Sequence, residues 1–332
     1  MRIESIDKEN TSLVTLTNAV GFALTLCDYG AGIYKMVWEG VPLTVGEDDL
    51  GLYLKSSGYF GKTAGRIAGR ILKGELAWQG KTYHLGINDG KNSLHGGPLG
   101  LSFVNWKRDI LTREGETYCD FYYHSPDGEM GFPGAVTFRV SYHLYENEPK
   151  VEILFKILSD VATPINLTTH TYFNLGGTET ILDHVMGIKS HQNEFYDSEM
   201  IPLGIKASPS CLDFSTPKRI GQDVRDPLIY QTRNKGYDHC FLLEPHDPNE
   251  TVFTLTNGGI KFELATDYPC IQVYSDNYPR SGVALSNGRL ERENSGLAVE
   301  PVEVPGDFSK MATVPGEFKT HRIVYSFSKE GK

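Results

Sequence analysis

Two neighbouring stretches of the chain, Val136-Thr-Phe-Arg-Val-Ser-Tyr-His-Leu-Tyr145 and Val151-Glu-Ile-Leu-Phe-Lys-Ile-Leu158, indicate the fold class. In both, polar residues alternate with branched or aromatic ones, and this period of two is what a β-strand with one buried face produces. Branched and aromatic residues are also those that strands favour. We therefore predict that each stretch is a strand with one face in a hydrophobic core.

The same alternation recurs on both sides of this pair. It predicts further strands at residues 13–16, 23–27, 75–78, 82–85, 119–124, 252–255, 260–265, 271–274 and 322–327. Clusters of glycine and proline separate many of these segments, as turns do, and no long amphipathic helix stands out among them. Many short strands of this kind are typical of antiparallel sheets. We predict an all-β fold, a large antiparallel β-sandwich, and, since no internal repeat or low-complexity linker is present, a single domain over residues 1–332.

The composition excludes several classes of function. The 332 residues carry a formal net charge of -10 without a basic stripe, so we expect no nucleic-acid partner. No apolar run is long enough to cross a membrane, and the first residues lack the layout of a signal peptide. The five cysteines are odd in number and far apart, which argues against a disulfide framework. We expect reduced thiols and a cytoplasmic protein.

Motifs for nucleotide and zinc chemistry are incomplete. The stretch Gly58-Tyr-Phe-Gly-Lys-Thr63 resembles a phosphate-binding loop, but Ser56 stands where that loop requires a glycine. A His-Glu-x-x-His motif, which would indicate a zinc hydrolase, does not occur. The sequence therefore predicts neither a phosphate-binding loop nor a zinc hydrolase of this motif class.

Two residues suit acid–base chemistry. His170 lies among threonines just before an apolar and aromatic run, and an ordinary histidine pKa of about 6.5 suits a proton donor. Alternatively, it is a core histidine held by those threonines. Glu300 follows the apolar run Leu297-Ala-Val, so partial burial would raise its pKa towards that of a useful base. Alternatively, it is a strand-end glutamate that faces water.

Three further polar residues suit ligand recognition, although each also has a structural explanation. Arg70, four residues after Arg66, offers a planar fork of donors, but either arginine could form a structural ion pair. His95 precedes Gly96-Gly97, where the backbone can approach a ligand closely, or it is a turn histidine. Asp238 could accept hydrogen bonds from two hydroxyls, or it is a turn aspartate.

Five segments contain these residues, at 65–70, 92–97, 166–175, 236–241 and 295–300. In content, order and spacing they resemble the aldose 1-epimerase (galactose mutarotase) family, and the resemblance extends from about residue 21 to residue 327. Asn92-Ser-Leu-His-Gly-Gly97 looks like the family's Asn-x-Leu-His-Gly-Gly segment, and two loops, at 127–134 and 213–217, are also similar. Each motif is short, but five in the same order form a specific pattern.

The resemblance implies a role for each candidate residue. His170 corresponds to the catalytic acid and Glu300 to the catalytic base. Positions that bind the sugar in the family are matched by Arg70, His95, Asp238 and Gln272. The family fold is a large antiparallel β-sandwich, the galactose mutarotase-like supersandwich, and it agrees with the strands predicted above.

The implied reaction interconverts the two anomers of a free aldose such as galactose or glucose, and it is expected to need neither a metal nor a cofactor. It is expected to start from a protonated His170 and an ionised Glu300 and to show a bell-shaped dependence of rate on pH. Three alternatives stay open: a phosphosugar epimerase, an isomerase acting at another carbon, and a carbohydrate-binding sandwich with an inert pair. Cations available for a phosphate are Lys62, Arg66 and Arg280.

Three positions depart from the family pattern. Gly69 stands where many members carry asparagine, Thr169 replaces a common asparagine beside the histidine, and Pro301-Val302 replaces a polar pair. None of these changes removes an acid or a base. They therefore bear on sugar preference more than on activity.

Overall fold

The computed structural model describes residues 1–8, 11–113, 116–329 and 331, and β-strands dominate these ranges. In chain order the strands are β1 (Arg2–Lys8), β2 (Thr11–Thr17), β3 (Phe22–Cys27), β4 (Gly32–Trp38), β5 (Val41–Pro42), β6 (Thr63–Ala64), β7 (Arg70–Ile71), β8 (Glu75–Trp78), β9 (Lys81–His84), β10 (Ser93–Leu94), β11 (Lys107–Arg113), β12 (Glu116–Ser125), β13 (Val136–Leu144), β14 (Lys150–Ser159), β15 (Thr168–Thr169), β16 (Tyr172–Phe173), β17 (Val185–Ile188), β18 (Gln192–Tyr196), β19 (Pro202–Ala207), β20 (Lys218–Arg219), β21 (Asp238–Leu242), β22 (Thr251–Asn257), β23 (Ile260–Thr266), β24 (Cys270–Tyr274), β25 (Leu297–Val302) and β26 (Phe318–Lys329).

The α-helices in these ranges are short: α1 (Leu50–Lys55), α2 (Ile220–Asp223) and α3 (Pro227–Tyr230). None of the helices that the structure describes is both long and apolar enough to span a bilayer.

The strands assemble into antiparallel sheets. A nine-stranded sheet has the order β11-β12-β13-β14-β26-β23-β22-β17-β20, a six-stranded sheet has the order β16-β25-β24-β21-β18-β19, and a five-stranded sheet runs from β1 to β5. Three two-stranded pairs, β7 with β10, β6 with β15 and β8 with β9, complete the arrangement. Every pairing between these strands is antiparallel. The prediction of an all-β antiparallel fold is confirmed.

The two stretches that indicated the fold class are adjacent strands of the nine-stranded sheet. β13 and β14 pair from Val136 opposite Ser159 to Leu144 opposite Val151. One face of each strand is fully buried, and the side chains on these faces are Val136, Phe138, Val140, Tyr142, Leu144, Val151, Ile153, Phe155 and Ile157. Burial of one large apolar side chain contributes about 1.5–3 kcal/mol. The alternation in the sequence therefore reports a real division between a core face and an outer face.

The hydrophobic core is continuous between the three larger sheets. One cluster of buried side chains includes members from β2 to β4, from β12 to β14, from β21 to β26 and from β16. Within it, Phe262 of β23 stacks on Phe173 of β16 with ring centroids 4.1 Å apart. The Phe262 ring also contacts Tyr325 and Phe327 of β26, at 5.4 and 5.2 Å. These rings join the nine-stranded sheet to the six-stranded one.

This aromatic contact between sheets gives a stability prediction. The substitution Phe262→Ala should lower the free energy of unfolding by about 3–5 kcal/mol, because it removes buried area and leaves a cavity between the sheets. Urea unfolding followed by fluorescence measures the change. The control Leu111→Ala alters a side chain that is 44% exposed on β11 and should change stability by less than about 0.5 kcal/mol. Equal effects of the two substitutions would contradict the assignment of Phe262 to the core.

Candidate active site

A cavity of about 220 Å³ lies on the face of the six-stranded sheet that points away from the core cluster. The structure brings all six residues proposed from the sequence to its walls, namely Arg70, His95, His170, Asp238, Gln272 and Glu300. Much of the remaining wall is aromatic and consists of Tyr59, Tyr172, Tyr196, Tyr274 and Tyr278. The roles of the six residues stay predictions, but their side chains share one space.

Strand alternation places three of these polar side chains on one face of the sheet. In β25, Leu297 and Val299 belong to the core cluster. Glu300, the residue after Val299, lies on the opposite face of the strand and lines the cavity. Gln272 of β24 lies opposite Glu300 in the register. Its Nε2 donates a 2.6 Å hydrogen bond to Oδ1 of Asp238, at the start of β21. The same period of two that builds the core therefore builds the polar floor of the cavity.

His170 lies between β15 and β16, and backbone hydrogen bonds fix this break in the strand. Its N–H donates to the carbonyl of Lys62 at 2.9 Å, and its own carbonyl accepts from the N–H of Gly61 at 2.8 Å. Phe173, three residues later, is the ring that stacks in the core. The histidine therefore projects from a segment that is anchored on both sides.

Arg70 and His95 come from the short pair of β7 and β10. The N–H of His95 donates to the carbonyl of Gly69 at 3.1 Å. The guanidinium of Arg70 donates from Nε to Oδ2 of Asp89 at 2.8 Å, and Asp89 also accepts from Arg233 at 3.0 Å. An aspartate paired with two arginines therefore holds the Arg70 side chain at the cavity wall.

His170 and Glu300 are in direct contact. Nε2 of His170 lies 3.4 Å from Oε1 of Glu300, and the two residues are only 5% and 2% exposed. Burial lowers the pKa of His170 to about 3. Burial, with a smaller effect from the charge of Asp238, raises the pKa of Glu300 well above its ordinary value. A lone charge on either group is costly, so the pair holds one proton between them over a wide pH range.

This arrangement differs from the sequence expectation of a protonated His170 beside an ionised Glu300 before sugar arrives. Removal of both groups from water favours the form with a neutral imidazole and a carboxylic acid. Transfer of one proton across the contact generates the imidazolium and the carboxylate together. The two charges then appear as a pair rather than singly.

Asp238 and Arg70 balance each other electrostatically. Burial raises the pKa of Asp238, although the charge of Arg70 and the hydrogen bond from Gln272 oppose this shift. The pKa of Arg70 is raised because Asp238 and Asp89 together outweigh its burial. The hydroxyl of Tyr196 donates to Oε1 of Gln272 at 3.1 Å. The polar groups are therefore oriented by one another before a ligand binds.

His95 is suited to donate a hydrogen bond and unsuited to bind a metal. Ligand atoms of His95, His170 and Glu300 lie within 4.8 Å of one another, as a metal site would require. However, the N–H of Gly69 donates to Nδ1 of His95 at 3.3 Å, and burial lowers the pKa of His95 well below its ordinary value. The neutral ring therefore uses its lone pair on Nδ1 and carries its proton on Nε2. It offers an N–H to a hydroxyl oxygen and no free lone pair.

The three cations considered for phosphate binding lie outside the cavity walls. Arg66 donates to Ser125 and to backbone carbonyls of the loop at 126–134, Lys62 donates to backbone carbonyls, and Arg280 pairs with two buried glutamates. Among the lining residues, which all belong to the described ranges, Arg70 is the one lysine or arginine. The cavity therefore lacks the cluster of cations that a phosphate dianion requires.

The tyrosine walls and Asp89 are not evident from the sequence motifs. The tyrosines are scattered among 18 in the chain, and apart from Tyr172, in the segment at 166–175, they lie outside the five segments that resemble the family. Asp89 stands before a glycine and therefore has the pattern of a turn residue. Its partner Arg233 is 144 positions away. Only the folded chain brings these groups together.

Of the positions that depart from the family pattern, Gly69 and Val302 line the cavity and Thr169 does not. Gly69 has a φ of +102°, and a Cβ atom built there would meet no atom within 4 Å. Thr169 is buried, and its hydroxyl is 2.9 Å from that of Thr171. The wall is therefore open at Gly69, whereas Thr169 acts within the protein.

Comparisons with known proteins cover most of this chain. The family described as Aldose 1-epimerase matches residues 12–326. Galactose mutarotase from Mus musculus is 32% identical over 297 residues, 86% of this chain and 84% of that protein. Aldose 1-epimerase from Haemophilus influenzae is 33% identical over 314 residues, 88% of this chain and 86% of that protein. The crystal structure of galactose 1-epimerase from Lactobacillus acidophilus superposes with a TM-score of 0.89 at 26% identity, covering 99% of this chain and 98% of that one. These matches confirm the resemblance and the fold expected from it.

The hydrogen bond to His95 gives a spectroscopic prediction. Nitrogen-15 NMR of the imidazole groups should show His95 as the neutral ring with its proton on Nε2 between about pH 5 and 8, because burial lowers its pKa and Gly69 occupies Nδ1. The exposed His84 lies outside the cavity, and its signals serve as the reference in the same spectra. Protonation of His95 within this range would contradict the assignment.

Proposed function

This chain belongs to the aldose 1-epimerase family, and on that premise we propose that its cavity interconverts the α and β anomers of a free hexose such as galactose or glucose. The observation that carries the proposal is the buried contact of 3.4 Å between an imidazole nitrogen of His170 and a carboxylate oxygen of Glu300. The ring oxygen and the anomeric hydroxyl of an aldose are bonded to the same carbon. One acid and one base at this separation can therefore act on both oxygens at once.

In the proposed reaction, Glu300 accepts the proton of the anomeric hydroxyl while His170 donates a proton to the ring oxygen. The C1–O5 bond breaks and the C1–O1 bond becomes a carbonyl, so the open-chain aldehyde forms. Rotation about the C1–C2 bond presents the other face of the aldehyde. Reclosure with the two residues in exchanged roles gives the other anomer and returns the proton. No electron leaves the sugar, so the chemistry needs no redox cofactor.

The remaining polar side chains would hold the sugar while C1 turns. We assign this role to Arg70, His95, Asp238 and Gln272. The guanidinium and the His95 N–H can donate to hydroxyl oxygens, the Asp238 carboxylate can accept from hydroxyls, and the Gln272 amide can do either. Fixing the ring in this way converts the binding energy of the hydroxyls into correct placement of the reacting oxygens.

A free sugar suits the cavity better than a phosphosugar does. Arg70 is the one lysine or arginine on its walls within the described chain, and Asp89 already accepts a hydrogen bond from it. The carboxylate of Asp238 offsets the charge of Arg70, so no surplus positive charge is left on the walls for a phosphate dianion. We therefore propose a neutral hexose as the substrate class.

We further propose that the protein works in the cytoplasm as one domain over residues 1–332. The five cysteines are free and buried, which is compatible with a reducing compartment. Cys119 and Cys211 belong to the main core cluster, and Cys27 belongs to a smaller buried cluster with Leu50 and Tyr53.

The shared proton predicts a bell-shaped dependence of kcat on pH. A second proton on the pair removes the base, and loss of the only proton removes the acid. The acid limb should lie below the ordinary histidine pKa of about 6.5, because burial lowers the pKa of His170. The basic limb should lie above the ordinary glutamate pKa, because burial raises the pKa of Glu300. Polarimetry after subtraction of the spontaneous rate measures both limbs, and an acid limb near pH 6.5 would contradict a buried His170.

Removal of either member of the pair should abolish most turnover and spare binding. His170→Asn and Glu300→Gln keep the approximate size of the side chain but stop proton transfer, so kcat should fall by about 10²–10⁴-fold. The Kd of the sugar should change by less than about tenfold, because the groups that bind the hydroxyls remain. Polarimetry of fresh α-D-galactose and α-D-glucose gives kcat, and calorimetry gives Kd.

The hairpin of β8 and β9 supplies matched controls. His84 and Glu75 are exposed and lie opposite each other there, so His84→Asn and Glu75→Gln make the same chemical changes outside the cavity and should keep the parent rate. A parent protein that binds sugar without accelerating anomer exchange would support the carbohydrate-binding alternative. Full activity in either cavity variant would refute the assigned roles.

A further inference from the structure

Tyr59 contacts both histidines of the cavity. Its ring centroid lies 4.7 Å from that of His95, with the planes at 57°, and 5.6 Å from that of His170, with the planes at 21°. Phe103 packs against the same ring at 5.2 Å. Tyr59 is half-buried in the cavity wall. One side chain therefore constrains both rings.

Stacking matters for His170 because no other residue that the structure describes forms a hydrogen bond with its second nitrogen. Nδ1 of His170 is buried and has no hydrogen-bond partner on another residue in the described part of the chain. In many acid–base sites a carboxylate or a carbonyl on Nδ1 fixes the tautomer and the orientation of the ring. In this protein Nε2 of His170 faces Glu300. The imidazole ring stacks on the ring of Tyr59 and on that of Tyr172, whose centroid lies 5.0 Å from the imidazole centroid with the planes at 22°.

Asn88 fixes the tyrosine and connects it to the segment that carries His95. Its Nδ2 donates to the hydroxyl of Tyr59 at 3.2 Å and to the carbonyl of Leu94 at 3.0 Å. Its Oδ1 accepts from the N–H of Leu94 at 2.7 Å. The side chain of Asn88 therefore sets the distance between the Tyr59 ring and the residue that precedes His95.

The electrostatics of the cavity give the aromatic face a second effect. The titratable groups that face His170 are Glu300, His95, Tyr59 and Tyr172. Of these, only Glu300 can carry a negative charge near neutral pH, because burial raises the pKa of Tyr59 to about 12. A neutral phenol ring within about 6 Å stabilises a cation over its face. The form of His170 that benefits is the imidazolium.

We propose that Tyr59 is a positioning residue for the reaction, one that orients His95 and His170 towards the same sugar and stabilises the protonated form of His170 with its ring face. The inference rests on the proposed mutarotase function, since it assigns a role within that reaction. It requires the aromatic face of Tyr59 and does not require the hydroxyl for proton transfer. Asn88 acts through Tyr59.

The test compares Tyr59→Phe with Tyr59→Leu in polarimetric assays over a range of pH. Tyr59→Phe keeps the ring but loses the hydrogen bond from Asn88, so kcat should fall by no more than about threefold and the acid limb should stay in place. Tyr59→Leu should lower kcat by about tenfold or more with a KM within about threefold of the parent. It should also move the acid limb of the kcat profile to lower pH, because an imidazolium without the ring face is harder to form. A purely structural role would not move this limb.

Each outcome decides the inference. An unchanged kcat and acid limb in Tyr59→Leu would overturn it, and equal losses in Tyr59→Phe and Tyr59→Leu would show that the hydroxyl, not the ring, is required. If Tyr59→Leu does not fold by circular dichroism, Tyr59→Met, which also lacks an aromatic face and has a similar length, is measured in its place. A parent protein without mutarotase activity would refute the proposed function itself, and the parent assay detects this separately.

Discussion

The charge states available in the site depend on one proton that two buried groups share. His170 and Glu300 touch at 3.4 Å and are only 5% and 2% exposed, so neither can hold a charge alone at low cost. The charges needed for ring opening can arise only together, by proton movement through the pair or through the sugar. A hemiacetal fits this condition, because its two oxygens gain and lose one proton at the same moment.

The fold supplies this environment by giving the six-stranded sheet two different faces. Val299 enters the core from the same strand that sends Glu300 into the cavity, and Phe173 stacks in the core three residues after His170. His170 and Glu300 are therefore held by short, rigid connections to the most buried part of the molecule. Loops would hold the same groups with more freedom, and a small error in placement is costly in rate.

The sequence predicted some strands, such as β13 and β14, and missed others, such as β1, β21 and β25, for physical reasons. β13 and β14 alternate because one face is buried, whereas β1 has no buried face to impose a pattern, and Ile6 is 65% exposed. The resemblance supplied the six cavity residues, yet Tyr59 and Asp89 act through contacts that no local pattern records. The sequence also did not predict that the pKa of His170 is lowered, because this shift depends on burial by residues from several parts of the chain.

The balance of charge in the cavity argues for a reaction that begins and ends without net charge. Arg70 is the one arginine or lysine on the described walls, and Asp238 and Asp89 oppose its charge. When His170 and Glu300 are both neutral, the charged side chains left on the cavity walls are Arg70 and Asp238, and their charges offset each other. A phosphosugar would find no surplus cation there, whereas a neutral hexose gives up only hydrogen bonds to water. Oriented side chains can replace those hydrogen bonds. The low net charge of the cavity therefore disfavours isolated ions and, for the same reason, favours a neutral sugar as the substrate.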